Sequence, residues 1–301
     1  MKKILSLLLV AFLAVGLLGG CADGTKEESS AEQNNEQTND KSENNSGEDK
    51  LEGTVSVIGS TSVTPVAQNL ADTFTTIEPG IKVDIQGIGS TAGVKAAKEG
   101  SGDIGMASRN LKSEEKEWGL TEHIIAYDGI TVVVHPSNSV ADLTQEQITK
   151  IFKGEIKNWK EVGGEDKEIL VVSRESGSGT RGAFEEIMNL QEKNAEGKKI
   201  SVVRKDALIA EGNGAVKANV AKKEYSIGYI SLSYLDESVK GLKVDGVEPT
   251  IENIKSEEYK VFRPFLMLTN GEPSPAAKAY LDFIFSEDGQ KIVGEKLIPV
   301  K

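Results

Sequence analysis

Three times the chain passes from a short apolar run into a Gly/Ser/Thr cluster and then into an amphipathic stretch, and few folds accept that rhythm. The clusters are GSTS at 59–62, GIGSTAG at 87–93 and SRESGSGTRG at 173–182. Val55–Ile58, Val83–Ile85 and Ile169–Val172 before them read as buried strands. After the first cluster, Val66, Leu70 and Phe74 recur four apart and fall on one face of a predicted helix over Pro65–Phe74. Strand, tight turn and helix in alternation is the grammar of an α/β protein.

The same reading extends along the chain. Ala92–Ala97 begins a helix, and Ile104–Ala107 is a strand that delivers Ser108 and Arg109. Ile124–Val134 is almost continuously apolar and β-branched, interrupted by Asp128-Gly129. Thr144 with Gln147 three residues on matches a capping box, and Ile148, Ile151 and Phe152 supply that helix's buried face. Further elements are a helix over Arg181–Met188 and a strand over Ser226–Ser231. Ser274-Pro275 opens another helix, proline at the first helical position losing no needed N–H, and Ser286–Val293 forms one more. Ile124–Val134 and Val261–Leu268 read as two crossings between lobes. The first lobe is then discontinuous, residues 51–130 with 261–301, and the second is 131–260.

The N-terminus has a different texture. Lys2 and Lys3 precede a nearly unbroken apolar run, Ile4–Leu18, closed by Leu18-Gly19-Gly20-Cys21. That is the pattern of an export signal. It is short for a spanning helix, and its last four residues resemble a bacterial lipobox, with 1–20 as signal peptide and Cys21 as the lipidated first residue of the mature chain. Residues 22–50 hold nine acids against three lysines and no aromatic or branched apolar residue. Such a segment cannot offset its ordering entropy by burial and is expected to be a disordered tether, residues 21–50.

Charge and composition exclude several functions. The formal net charge is −12, with 47 acidic and 35 basic side chains, which opposes unspecific nucleic-acid binding. One cysteine and two histidines offer no internal disulfide and no Cys- or His-rich metal cage. No Gly-x-Ser-x-Gly elbow is present, since Glu175-Ser176-Gly177-Ser178-Gly179 lacks the leading glycine. His123 and His135 sit at the ends of an apolar run, as boundary residues do. No enzyme, metal or cofactor is expected.

What the clusters suit is an oxyanion. A helix N-terminus leaves backbone N–H groups without intrahelical partners, and an anion placed there gains hydrogen bonds and a favourable dipole. Serine and threonine hydroxyls add donors without charge. The GSTS turn alone is equally well a helix cap. The third cluster is not so easily set aside: seven of its ten residues are Gly, Ser or Thr, and Arg174 brings a rigid fork suited to a tetrahedral anion. Glu175 is placed either to hold that guanidinium or simply to face solvent. Gly-Lys-Ser/Thr does not follow the glycines, so this is no nucleotide-binding loop of the Walker type.

In order and spacing, GSTS at 59–62, GIGSTAG at 87–93, DIGMASR at 103–109, AYDGITVVVHP at 126–136, RESGSGTR at 174–181, IGYI at 227–230 and SPAAKAYLDFIFSEDGQKI at 274–292 resemble the phosphate-binding subunits of bacterial ABC importers, in their Gram-positive lipoprotein form. The resemblance runs from Gly53 to the C-terminus. It implies a two-lobed periplasmic-binding-protein-like fold of type II, with mixed sheets flanked by helices and a two-crossing hinge. Inorganic phosphate would be clamped between the lobes by Thr61, Ser62, Ser90, Arg174, Ser178, Gly179 and Thr180.

It also implies a monomeric, lipid-anchored receptor on the extracytoplasmic face of the membrane, serving permease subunits with a cytoplasmic ATPase. One departure stands out. Gram-negative relatives carry Ser-Asp where this chain has Ser108-Arg109, and that aspartate accepts the ligand's proton. Arg109 is therefore a candidate ligand group. Asp128 is a candidate either to pair with Arg109 or to accept the proton. The departure keeps a second tetrahedral oxyanion open as ligand: sulfate, molybdate or tungstate. An envelope-adhesion protein using the lobes as scaffold would bind no small anion tightly.

Overall fold

A computed structural model describes residues 51–301. The signal, Cys21 and the acidic tether lie outside the described residues. Within them, one ladder of hydrogen-bonded strands runs Ile81–Gly87, Gly53–Gly59, Ile104–Ala107, Phe262–Thr269, Thr121–Val134, Ser226–Ser231, Leu170–Arg174 and Leu208–Ala210. The pairing is mixed. Gly53–Gly59 is parallel to both its neighbours, whereas Phe262–Thr269 is antiparallel to Ile104–Ala107 and to the first part of Thr121–Val134.

The strand Thr121–Val134 joins the two halves. Its residues from Thr121 to Gly129 pair with Phe262–Thr269, and those from Ile130 to Val134 pair with Ser226–Ser231. The core divides at the same place. Ile125 and Ala126 pack with Val55, Leu70, Phe74, Phe265 and Tyr280, while Ile130, Val132 and Val134 pack with Phe152, Trp159, Phe184 and Tyr229. The architecture is two α/β lobes on one curled mixed sheet.

Helices cover both faces of each half. Thr64–Ile77 buries Val66, Leu70 and Phe74 as its four-residue spacing predicts, each burial worth roughly 1.5–3 kcal/mol. Ser90–Glu99 turns Val94 and Ala97 against Leu266 and Leu268 on the opposite face. In the second half, Gly179–Ile187 buries Phe184, whose ring stacks on Tyr229 at 4.0 Å. Gln145–Lys153 begins at Thr144 with the expected reciprocal capping box. Gly59 is required where it stands: φ is +148° and a Cβ would collide with the Met106 backbone. That close approach lets Ser60 N–H bond to the Met106 carbonyl at 3.0 Å and turns the chain sharply into the first cluster.

Candidate functional site

Arg174 ends the strand Leu170–Arg174 and is 1% exposed. Its guanidinium is gripped from one side by the next residue: Nε and Nη2 donate to the two oxygens of Glu175 at 2.9 and 2.8 Å. Burial pushes the Glu175 carboxyl up, but the hydrogen bond and charge of Arg174 outweigh it and hold the group below its ordinary value. The far edge of the fork stays turned to the cleft. There Nη1 donates to Asn213 Oδ1 at 3.1 Å and Nη2 to Thr61 Oγ1 of the opposite lobe at 3.1 Å.

Small polar groups from both lobes close around this arginine. Ser62 and Thr180 hydroxyls meet at 2.8 Å across the cleft. Thr91 N–H donates to the Gly177 carbonyl at 3.2 Å, and Tyr234 O–H to the Thr61 carbonyl at 3.0 Å. A Cβ on Gly179 would strike Ser90 Oγ and come within 2.7 Å of Ser108 Oγ, so only glycine allows this approach. Ser178 caps the helix Gly179–Ile187 by accepting from Arg181 N–H at 3.1 Å. The helix's first-turn N–H groups have no intrahelical partner and point out of its N-terminus. Of the nine candidate ligand residues, Thr61, Ser62, Ser90, Arg174, Ser178, Gly179 and Thr180 are thus brought together.

The other two are each engaged by a nearer counter-charge, although Arg109 Nη2 also reaches Thr91 Oγ1 of the second cluster at 3.5 Å. Arg109 does not pair with Asp128. Its Nη1 and Nη2 donate to the two oxygens of Glu115 at 2.6 and 2.9 Å, and Nη1 also to the Asn110 carbonyl at 2.9 Å. Burial raises the Glu115 carboxyl, yet bonds from Arg109 and Lys112 N–H bring it below its usual value. Asp128 is 1% exposed and faces Arg263, whose Nη2 donates to Oδ2 at 2.8 Å, while Ser231 O–H donates to Oδ1 at 2.9 Å. Both oxygens are therefore engaged within the protein. Arg181 turns away as well, onto Glu185 and the Arg174 carbonyl.

Sequence reasoning passed over Asn213, whose side chain links Arg174, Ser62 and Ser231 in the cleft. It lies in the first turn of the helix Gly212–Lys222, after the strand Leu208–Ala210. Its Oδ1 accepts from Arg174 and from Ser231 N–H at 3.1 Å each, and its Nδ2 donates to Ser62 Oγ at 2.8 Å. The signal was there: Gly212-Asn213-Gly214 follows a short apolar run just as the three recognised clusters do. Ser60 and Ser108, joined at 2.8 Å beneath Ser90, were also missed.

Arg109, Arg174, Arg181 and Arg263 are each matched by a carboxylate. An anion entering here would be held by directed N–H and O–H groups in a dry cleft, where each bond is stronger than in water, more than by surplus positive charge. The histidines take no part: His123 bonds to Thr269 and His135 to Ser137. Among the described residues no helix is long and apolar enough to cross a membrane.

Comparison with known proteins places the chain in a family. A PBP superfamily domain matches residues 44–288. The phosphate-binding protein PstS of Bacillus subtilis is 32% identical, over 99% of this chain and 94% of the relative. A Clostridium perfringens structure assigned as a phosphate ABC transporter substrate-binding protein, with bound phosphate, is 50% identical. It covers 83% of this chain and 100% of its own, with a TM-score of 0.78. An ABC-type phosphate transport receptor of Vibrio cholerae is 37% identical over 82% of this chain and 100% of its own, with a TM-score of 0.70. The chain belongs to the PBP superfamily and, within it, to the family of PstS phosphate-binding proteins.

Proposed function

We infer that this chain captures inorganic phosphate outside the cytoplasm and delivers it to an ABC importer. The observation that carries the reading is the convergence of Arg174 with hydroxyl and N–H donors from both lobes on one buried point. Relatives named for phosphate binding, one of them crystallised with phosphate, support it. In this reading the ligand shell is Thr61, Ser62, Ser90, Arg174, Ser178, Gly179 and Thr180, and the lobes are 51–130 with 261–301 and 131–260. Binding favours the closed arrangement because donors from the two lobes reach the anion together only there. In this reading the event is capture and release, without a chemical step.

Cys21 would carry the lipid that keeps the receptor at the outer face of the membrane, with 21–50 as its tether, and the closed lobes would dock as a monomer on the permease. Two measurements test the function. Calorimetry of the purified protein should give tight phosphate binding that a large excess of sulfate, molybdate or tungstate does not displace; displacement by one of these would make that anion the ligand. Cys21→Ala should release the protein from the membrane fraction while leaving phosphate binding intact.

A further inference from the structure

The boundary between the two cores holds an ion pair of unusual cost. Asp128 and Arg263 are register partners on the two antiparallel strands that cross between the lobes, and both are all but inaccessible. Arg263 Nη2 bonds to Asp128 Oδ2 at 2.8 Å, but Nε and Nη1 are buried without a partner among the described residues. Arg109, by contrast, has both terminal nitrogens satisfied. A dry ion pair recovers its desolvation only when its remaining donors are also bonded, and unmet buried donors add to the penalty. As a stabilising device the Asp128–Arg263 pair is poor.

Its connections explain its presence better. Ser231 O–H donates to Asp128 Oδ1 at 2.9 Å, and Ser231 N–H donates to Asn213 Oδ1 at 3.1 Å. That same amide oxygen receives Arg174 Nη1, and the amide nitrogen donates to Ser62 Oγ, which meets Thr180. An unbroken chain of hydrogen bonds therefore runs from the hinge to both walls of the cleft. With its oxygen facing two donors and its nitrogen facing a hydroxyl, the Asn213 amide has one workable orientation.

We propose that Asp128 and Arg263 are a positioning pair for the anion site: they fix Ser231 at the hinge, and Ser231 orients Asn213 so that Arg174 and Ser62 are brought into line as the lobes close. The pair touches no ligand. It makes the alignment of the ligand arginine depend on the register of the two crossing strands. This rests on the phosphate-receptor reading.

The test is phosphate calorimetry and stopped-flow release on the full chain, with thermal melts of the same samples. Ser231→Ala cuts the chain while leaving the ion pair in place. It should weaken binding about tenfold, in the release rate, since changes within one site act mainly on dissociation. Its melting temperature should fall only modestly, because Asp128 Oδ1 loses one buried donor while Oδ2 stays on Arg263. Arg263→Lys keeps charge and one bond and should stay near wild-type affinity. The double variant Asp128→Leu/Arg263→Met removes the pair. Because apolar replacement of a buried pair is often neutral or stabilising, it should melt no lower than wild type yet lose phosphate affinity about as much as Ser231→Ala. Wild-type affinity in both Ser231→Ala and the double variant would overturn the proposal and leave the receptor reading standing. A wild-type chain that takes up no phosphate would overturn both.

Discussion

Ser108-Arg109 and Ser173-Arg174 are the same dipeptide at the same place, the exit of a buried strand, and the molecule uses them differently. Arg174 is gripped along one side by its sequence neighbour, through Nε and Nη2, so its other edge faces Asn213 and Thr61. Arg109 is gripped end-on by Glu115, six residues away, through both terminal nitrogens. The side grip leaves the Nη1/Nη2 edge of Arg174 facing the cleft, whereas the end grip turns that edge of Arg109 onto Glu115, and in the proposed site this difference is what makes Arg174 the ligand arginine.

Substitutions can break or sharpen that contrast. Arg109→Ala should chiefly cost stability, about 3–5 kcal/mol by thermal or denaturant unfolding, because Glu115 is left buried and unpaired. Phosphate affinity in that variant should change little. Arg174→Ala should do the reverse, losing roughly 2–5 kcal/mol of phosphate binding by calorimetry as a buried oxygen of the anion loses its charged partner. If the two variants lose the same affinity, the grip direction does not matter.

Gly179→Ala probes the closure that both arginines flank. Its Cβ would meet Ser90 and Ser108 of the other lobe, and overpacking of this kind costs about 1–3 kcal/mol. The loss should appear in phosphate affinity, with the melting temperature of the unliganded protein nearly unchanged. A fall in melting temperature with affinity intact would assign the contact to the fold instead.

Acid should act on both pairs alike. The Glu115 and Glu175 carboxyls lie below the ordinary value of 4.5 in the folded protein, in each case because the arginine, together with backbone N–H groups, outweighs burial. The unfolded chain then binds protons first as pH falls, so the stability these pairs contribute is present above 4.5 and is lost as pH drops through their folded values. Melting temperature should fall below that pH, and Glu115→Gln should flatten part of the decline. An unchanged slope in that variant would remove Glu115 from the account.

Much of this was legible in the sequence because local patterns suffice for it. The strand at Ile104–Ala107, the helix that follows Ser274-Pro275 and the capping box at Thr144 need only periodicity and end signals. Arg174 and its glutamate are adjacent, so their pairing needs no fold. Asp128 stood out as a charge inside an apolar strand, but its partner lies 135 residues on, in a crossing that reads as merely apolar. Nothing local distinguishes Arg263 from Arg109 as that partner; the antiparallel register decides it. Asn213 was hidden for another reason: besides Asn213 itself its helix buries only two apolar side chains, Val216 and Val220, too thin a stripe to mark the segment as an element.

The most direct test of the central claim is a crystal structure of the protein with phosphate bound. The anion should be met by the Nη1/Nη2 edge of Arg174, which here bonds Asn213 and Thr61, and by N–H and O–H groups of Thr61, Ser62, Ser90 and residues 178–180, with Arg109 still on Glu115 and Asp128 still on Arg263. An anion held by Arg109 swung away from Glu115, or one that Arg174 does not touch, would contradict it.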